Sequence, residues 1–216
     1  PLLAQATPLQ LRWKLDHETG TVFVQGPPVK RVAATPRPAG PVDLAAECPK
    51  TNPLPLHFVE AGERGEAVAP AQLQAVQASV EAAQAKAGAL VSVFVHGWQH
   101  SAAPGDSYVC DFAALLRAVN TMEANAARAS GRPAREVLGV YVGWPGHLYP
   151  TELANLTTFW NRLQVADRLG GDDGALRPLL LGLAQRFAAG ARDPRPDRRS
   201  GLVVTGHSMG GRAVFH

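Results

Sequence analysis

The chain has 216 residues, of which 46% are apolar and 18% are charged, and its formal net charge is +3. This length and composition are typical of a globular protein with one sizeable core. No apolar run approaches the ~18 residues of a membrane-spanning helix, and the small positive excess lies mainly in the arginine-proline segment 192–199, which argues against a nucleic-acid partner.

The first residues carry a weak targeting signal. Ala4-Gln5-Ala6 resembles the end of a secretory signal peptide, and an alanine-rich tail is the alternative interpretation. The sequence therefore leaves a cytoplasmic and an exported location both open.

Residues 1–60 predict an N-terminal extension. Leu11 to Lys14 and Thr21 to Gln25 are two short strand candidates around polar turn residues, which predicts a β-hairpin. The proline-rich residues 26–41 predict an irregular connector, and Leu56 to Glu60 predicts another strand. The main domain is then expected over residues 61–216.

A regular alternation of helices and strands begins at residue 70 in the sequence. Pro70 opens a helix that Gly88 closes, and an apolar strand follows from Leu90 to Val95. Two more apolar strands are predicted at Val137–Val142 and Leu202–Thr205, with helical periodicity before each. Such runs are typical of parallel strands covered on both faces, so the predicted fold class is α/β, a mostly parallel sheet flanked by helices.

The two cysteines do not form a local motif. Cys48 and Cys110 are too far apart in sequence for a CxxC metal or redox site. In an exported protein they could form one disulfide, and two unpaired core thiols are an equal alternative.

The last strand leads into Gly206-His207-Ser208-Met209-Gly210, a Gly-x-Ser-x-Gly motif. In α/β-hydrolases this motif is the nucleophile elbow, a strained strand-to-helix turn that exposes the serine oxygen. Small residues flank the serine because a larger side chain would clash at so tight a bend. The motif predicts Ser208 as a nucleophile supported by Gly206 and Gly210.

A serine hydroxyl needs an adjacent base, usually a histidine held by an acid. His207 is next to the serine and points elsewhere, His216 lies two helical turns further on, and His96 and His100 precede the elbow, against the usual chain order. We therefore expect the acid and the histidine to follow His216, so that the α/β-hydrolase fold is cut after the elbow. Residues 1–216 alone are then expected to be inactive.

His96-Gly97-Trp98 follows the first predicted parallel strand and predicts an oxyanion loop. Backbone N–H groups there would stabilise the negative charge of an acyl-transfer intermediate. We expect the N–H groups of Trp98 and Met209 to be the two donors, with His96 and Gly97 supporting the loop. His96 and His100 as metal ligands would need a helix and an intervening glutamate, so no metal or other cofactor is expected.

Trp144 and Tyr149 follow the middle strand at its carboxyl end, the edge at which open α/β sheets bind ligands. Both are candidate substrate-pocket residues, with core packing as an equal alternative. His147 is expected in a surface loop, and Asp106 is expected to cap or solvate a helix start.

Four segments together resemble a known family. Phe-Val-His-Gly-Trp-Gln-His-Ser-Ala, Gly-Val-Tyr-Val-Gly-Trp-Pro-Gly, Leu-Thr-Thr-Phe-Trp-Asn-Arg and Val-Val-Thr-Gly-His-Ser-Met-Gly-Gly-Arg are similar to segments of bacterial α/β-hydrolases of the serine esterase or lipase type. The resemblance covers roughly residue 50 to the end. It implies an α/β-hydrolase fold with Ser208 as nucleophile and with an acid and a histidine supplied further on.

The sequence thus favours a serine hydrolase that cleaves carboxylic esters of small molecules or lipids through an acyl-enzyme on Ser208. Thioester or amide hydrolysis on the same fold is one alternative. A catalytically silent hydrolase-like binding module is the other, because fold alone does not fix function.

Overall fold

The computed structural model describes residues 12–16, 21–25, 35–147, 155–156, 158–190 and 200–216. The signal-like residues 4–6, Tyr149 and the segment 192–199 lie outside these residues. Strands β1 (Arg12–Asp16) and β2 (Thr21–Gln25) pair antiparallel in a sheet of their own, so the two strands of the predicted hairpin and their pairing are confirmed.

A five-stranded sheet forms the centre of the fold. Its strands are β3 (Pro41–Val42), β4 (Leu56–Glu60), β5 (Ala89–Val95), β6 (Glu136–Gly143) and β7 (Gly201–Gly206). The spatial order is β3-β4-β6-β5-β7, and every pairing is parallel except that of β3 with β4. The predicted α/β class with a mostly parallel sheet is therefore confirmed.

In the described part of the chain, the strands are connected and covered by the helices α1 (Pro70–Lys86), α2 (Ser107–Ala129), α3 (Phe159–Gly170), α4 (Leu176–Gly190) and α5 (Met209–Phe215). Gly88 follows α1 with a φ of +94°, a left-handed conformation that glycine adopts without strain. The N–H of Gly88 bonds to the carbonyl of Ala83, which ends the helix where the sequence predicts.

Side chains alternate between two apolar cores because successive residues of a strand point to opposite faces. On one face, Val91, Val93 and Val95 of β5 pack with residues of α1, α3, α4 and α5. On the other face, α2 covers Phe58 and Tyr141. Helices on both faces bury the central strands, which explains why those strands are near-continuous apolar runs.

The short strands β3 and β4 form one side of the five-stranded sheet. β3 and β4 lie within residues 1–60, the part that the sequence analysis assigned to an extension, and β4 pairs with β6 along its whole length. At the opposite side β7 is an edge strand, and the side chain of Val203 is 60% exposed there.

A disulfide joins Cys48 to Cys110 across 62 residues. It ties the loop before β4 to the first half of α2. Of the two alternatives that the sequence leaves open, the structure contains the disulfide.

Candidate active site

Ser208 lies at the turn between β7 and α5, at the carboxyl edge of the sheet. Its φ of +53° and ψ of −118° are unfavourable for a residue with a side chain, and its side chain is exposed to solvent. The N–H of His207 bonds to the carbonyl of Val95, and the N–H of Arg212 bonds to the carbonyl of Ser208. The predicted strand–turn–helix context of the motif is therefore confirmed.

The glycines on either side of Ser208 are required by space. A Cβ on Gly206 would lie 2.5 Å from the carbonyl carbon of Gly210. A Cβ on Gly210 would overlap the carbonyl oxygens of Val95 and His96. These neighbours are backbone atoms, which cannot rotate away, so the turn tolerates no side chain at either position.

The loop after β5 approaches the elbow through Gly97. A Cβ on Gly97 would lie 2.7 Å from Nδ1 of His207, 3.0 Å from the His207 carbonyl oxygen and 3.3 Å from Cβ of Ser208. β5 and β7 are neighbours in the sheet, so the loop and the elbow leave the sheet side by side. The absence of a side chain at Gly97 is what lets the two backbones approach.

His96 holds this loop from inside the protein. Its ring is fully buried between Trp144 and Tyr141, with ring centroids 5.3 and 5.6 Å away. Nδ1 lies 2.8 Å from the Gly97 carbonyl, and Nε2 accepts the Trp144 N–H at 3.0 Å. Burial lowers the pKa of His96 to about 4, so the ring is neutral at pH 7 and donates from Nδ1. Both ring nitrogens are engaged, which makes His96 a support for the loop.

Trp144 belongs to the same support. Its indole N–H donates to the His96 carbonyl at 2.8 Å, and only 2% of its surface is exposed. The packing alternative therefore holds for Trp144 rather than the pocket alternative. His147 lies exposed after β6, which confirms its expected place in a surface loop. Tyr149, the other candidate pocket residue, lies outside the described residues.

Two backbone N–H groups near Ser208 have no hydrogen-bond acceptor among the described residues. Met209 is the first residue of α5, where a helix leaves its N–H groups without intrahelical partners. Within the described residues, neither the Met209 N–H nor the Trp98 N–H has a hydrogen-bond acceptor. The next loop residue, Gln99, has a φ of +68° and donates its N–H to the Gly146 carbonyl at 2.9 Å.

A buried arginine holds the segment after β6 that binds the loop after β5. Arg162 is 1% exposed and binds the Glu63 carboxylate through two nitrogens, at 2.9 and 2.6 Å. It also donates to the Pro145 carbonyl at 2.5 Å, beside the Gly146 carbonyl that receives Gln99. The ion pair of Arg162 could not be predicted from the sequence, because Glu63 lies 99 positions earlier in the chain.

Polar and aromatic side chains meet at the other side of the elbow. The Asp106 carboxylate caps α2 at the N–H of Tyr108 and also lies 3.1 Å from Nδ1 of His100, so its expected capping role is confirmed. The His100 ring stacks on Tyr108, and the Tyr108 hydroxyl lies 3.4 Å from Nδ1 of His207. Among the described residues, no histidine nitrogen contacts the Ser208 hydroxyl.

An open groove lies next to this cluster, between α2 and the strands β5 and β7. Its volume is about 310 Å³, and its lining includes Phe94, Tyr108, Phe112, Leu115 and His207. Leu115 is 58% exposed at the rim.

The described residues contain no group of three or more His, Cys, Asp or Glu residues placed to hold a metal ion. None of the helices described is both long and apolar enough to cross a membrane.

The chain matches no protein-family model, and comparisons with curated proteins and with solved structures give no similar chain. The resemblance to bacterial α/β-hydrolases therefore rests on the sequence segments quoted above.

Proposed function

We propose that the protein is a serine hydrolase of the α/β-hydrolase fold, which cleaves carboxylic esters through an acyl-enzyme on Ser208. The observation that carries this proposal is the left-handed backbone of Ser208 at an exposed strand-to-helix turn. Strain of this kind is retained where function requires it, and in α/β-hydrolases it presents the nucleophile.

The surroundings of Ser208 support acyl transfer. The backbone of Gly97 lies against the elbow, and the N–H groups of Trp98 and Met209 have no acceptor in the described part of the chain. A carbonyl oxygen that receives both N–H groups would gain their hydrogen bonds as its negative charge develops, and each such donor contributes roughly 10²–10³ in rate. Hydrogen bonds to His96 and Gly146 hold the loop before substrate arrives, so no reorganisation is needed.

The order of strands also supports an α/β-hydrolase. The strand that carries the elbow, β7, lies beside β5, which carries the proposed oxyanion loop, and α2, β6, α3 and α4 lie between them in sequence. This is the arrangement that places an oxyanion loop next to a nucleophile elbow in that fold. The proposed reaction needs a base that takes the proton of the Ser208 hydroxyl, and in this class of enzyme that base is usually a histidine held by an acid.

The test is ester hydrolysis by the full natural chain and by its Ser208→Ala variant, with p-nitrophenyl butyrate as substrate. We expect Ser208→Ala to lower kcat by at least about 10³-fold, because members of a catalytic triad act as a unit. The matched control is Ser107→Ala, an exposed serine in the first turn of α2, which should retain activity.

Two other results of this experiment would change the proposal. Ser208-dependent cleavage of a thioester or an amide, without cleavage of the ester, would change the substrate class. If no acyl compound is cleaved and no covalent adduct forms at Ser208, the protein is a silent binding module of this fold.

A further inference from the structure

Three aromatic side chains form a continuous surface beside the oxyanion loop, and we call Trp98, Phe159 and Trp160 the aromatic wall. The rings of Trp98 and Phe159 meet edge to face with centroids 5.3 Å apart. Those of Phe159 and Trp160 meet in the same way at 5.4 Å. The wall therefore extends from the oxyanion loop onto the first turn of α3.

The inner end of the wall is fixed. The indole N–H of Trp98 points to the Thr158 hydroxyl at 3.4 Å, and that hydroxyl donates to the Asn155 carbonyl at 2.6 Å. Both Thr158 and Asn155 are buried. An apolar ligand that packs on Trp98 would thus meet a surface that is already ordered, at little entropic cost.

The outer end of the wall is exposed. Phe159 is 37% exposed, Trp160 is 73% exposed, and Leu156 beside them in sequence is 56% exposed. Several large apolar side chains exposed side by side are uncommon on a protein surface and mark places where an apolar partner binds.

We propose that the aromatic wall binds a bulky apolar group of the substrate, either its acyl chain or its alcohol part. This inference rests on the proposed function, because only that function makes the wall residue Trp98 an oxyanion donor as well. A carbonyl held at the Trp98 N–H brings its substituents within reach of the Trp98 indole and of Phe159 beyond it. The protein then favours esters of long or aromatic groups over acetates, since each methylene buried on the wall raises kcat/KM by about fourfold.

The test compares two ester series, both measured below their aggregation limits. One series lengthens the acyl chain from acetate to decanoate on a p-nitrophenyl ester, and the other lengthens the alcohol of an acetate ester. For each we take the ratio of kcat/KM between the longest and the shortest member. The series in which Trp160→Ala lowers this ratio identifies which part of the substrate occupies the wall.

We expect Trp160→Ala to lower the ratio at least tenfold in one series and Trp160→Phe to restore most of it. Leu181→Ala is the matched control, because Leu181 is 51% exposed on α4 and should leave both ratios unchanged. If Trp160→Ala changes neither ratio while Leu115→Ala lowers one, the groove under α2 is the apolar subsite and the inference is overturned.

A binding measurement separates this inference from the proposed function. Calorimetry with decanoate and with decanol on the Ser208→Ala protein needs no turnover, and Trp160→Ala in that background should weaken the Kd of one of the two ligands at least fivefold. Unchanged Kd values for both ligands would overturn the wall even if the protein is an esterase. A weakened Kd without any ester hydrolysis would keep the wall as a binding surface and reject the hydrolase.

Discussion

Gly97 lies directly against Ser208, because a Cβ added to Gly97 would lie 3.3 Å from Cβ of Ser208. The same Cβ would lie 3.0 Å from the His207 carbonyl oxygen. The His207 side chain can rotate away, but the carbonyl belongs to the strained turn itself. A side chain at position 97 must therefore displace the loop.

We predict that Gly97→Val lowers kcat for a small ester by about 10²–10³-fold, the usual cost of losing one oxyanion donor. The circular dichroism spectrum and the Tm should change little, because the loop lies beyond the carboxyl end of β5. Gly171→Ala is the control, since the nearest atom outside its chain neighbours would lie 3.3 Å from the added Cβ, so that a small local shift at the end of α3 accommodates it. Unchanged turnover in Gly97→Val would mean that the donor comes from a different loop.

Substitution of Arg162 tests whether the segment after β6, which binds the loop after β5, matters for the reaction. Arg162→Met removes the hydrogen bond to Pro145 and leaves the partly exposed Glu63 without this buried arginine. We predict a kcat about tenfold lower with a nearly unchanged KM, and a loss of about 1–3 kcal/mol in stability. Arg162→Lys should recover only part of kcat, because an ammonium cannot reproduce the planar fork of contacts. A raised KM with normal kcat would place Arg162 in substrate binding instead.

Two buried histidines predict how stability depends on pH. Burial lowers the pKa of His96 to about 4, and burial also lowers the pKa of His57, whose two ring nitrogens have no hydrogen-bond partner among the described residues. Both rings are neutral in the folded protein and gain a proton on unfolding below pH 6.5, the ordinary histidine value. The contribution of His96 is therefore complete above pH 6.5 and is lost as the pH falls toward 4, by up to about 1.4 kcal/mol per pH unit. The lowered pKa of His57 makes the folded protein lose stability in the same direction below pH 6.5.

Urea unfolding between pH 8 and pH 4 checks this dependence. His57→Leu removes one of the two titrating rings and the two unpaired nitrogens, so the variant should be more stable at pH 7 and less sensitive to acid. If His57→Leu is less stable than the natural protein at every pH, the His57 nitrogens have partners in solution.

The disulfide predicts a redox-dependent stability. Closing a loop of 62 residues between Cys48 and Cys110 restricts the unfolded chain, and the chain-entropy relation assigns to it about 4 kcal/mol at 25 °C. Reduction with dithiothreitol, or the double variant Cys48→Ser with Cys110→Ser, should lower the Tm markedly. Equal Tm values for the oxidised and reduced protein would show that the bond does not stabilise the fold.

The parts of the site that lie within one stretch of chain could be predicted from the sequence. The elbow is five consecutive residues, and the clash of a side chain at Gly206 with the backbone of Gly210 arises within this bend. The apolar runs of the parallel strands are equally local, because burial on both faces acts on every residue of a strand.

The contacts between distant segments could not be predicted. Trp144 follows a strand just as a pocket residue would, and only its stacking on His96, 48 residues away, shows that it is buried. The partner of Arg162 and the pairing of Cys48 with Cys110 depend on how loops from different strands meet. Phe159 and Trp160 have ordinary helical positions in the sequence, and their place beside Trp98 in the loop after β5 comes from the docking of α3.

The most direct test of the central claim, that Ser208 is an activated nucleophile, is covalent labelling. The full natural chain is treated with a fluorophosphonate, digested, and mapped by mass spectrometry, with Ser208→Ala and heat-unfolded protein as controls. The account predicts one phosphonyl group per chain, on Ser208, formed only by the folded natural protein. Folded protein that takes up no label on Ser208, or takes it up at another serine at the same rate in Ser208→Ala, would contradict it.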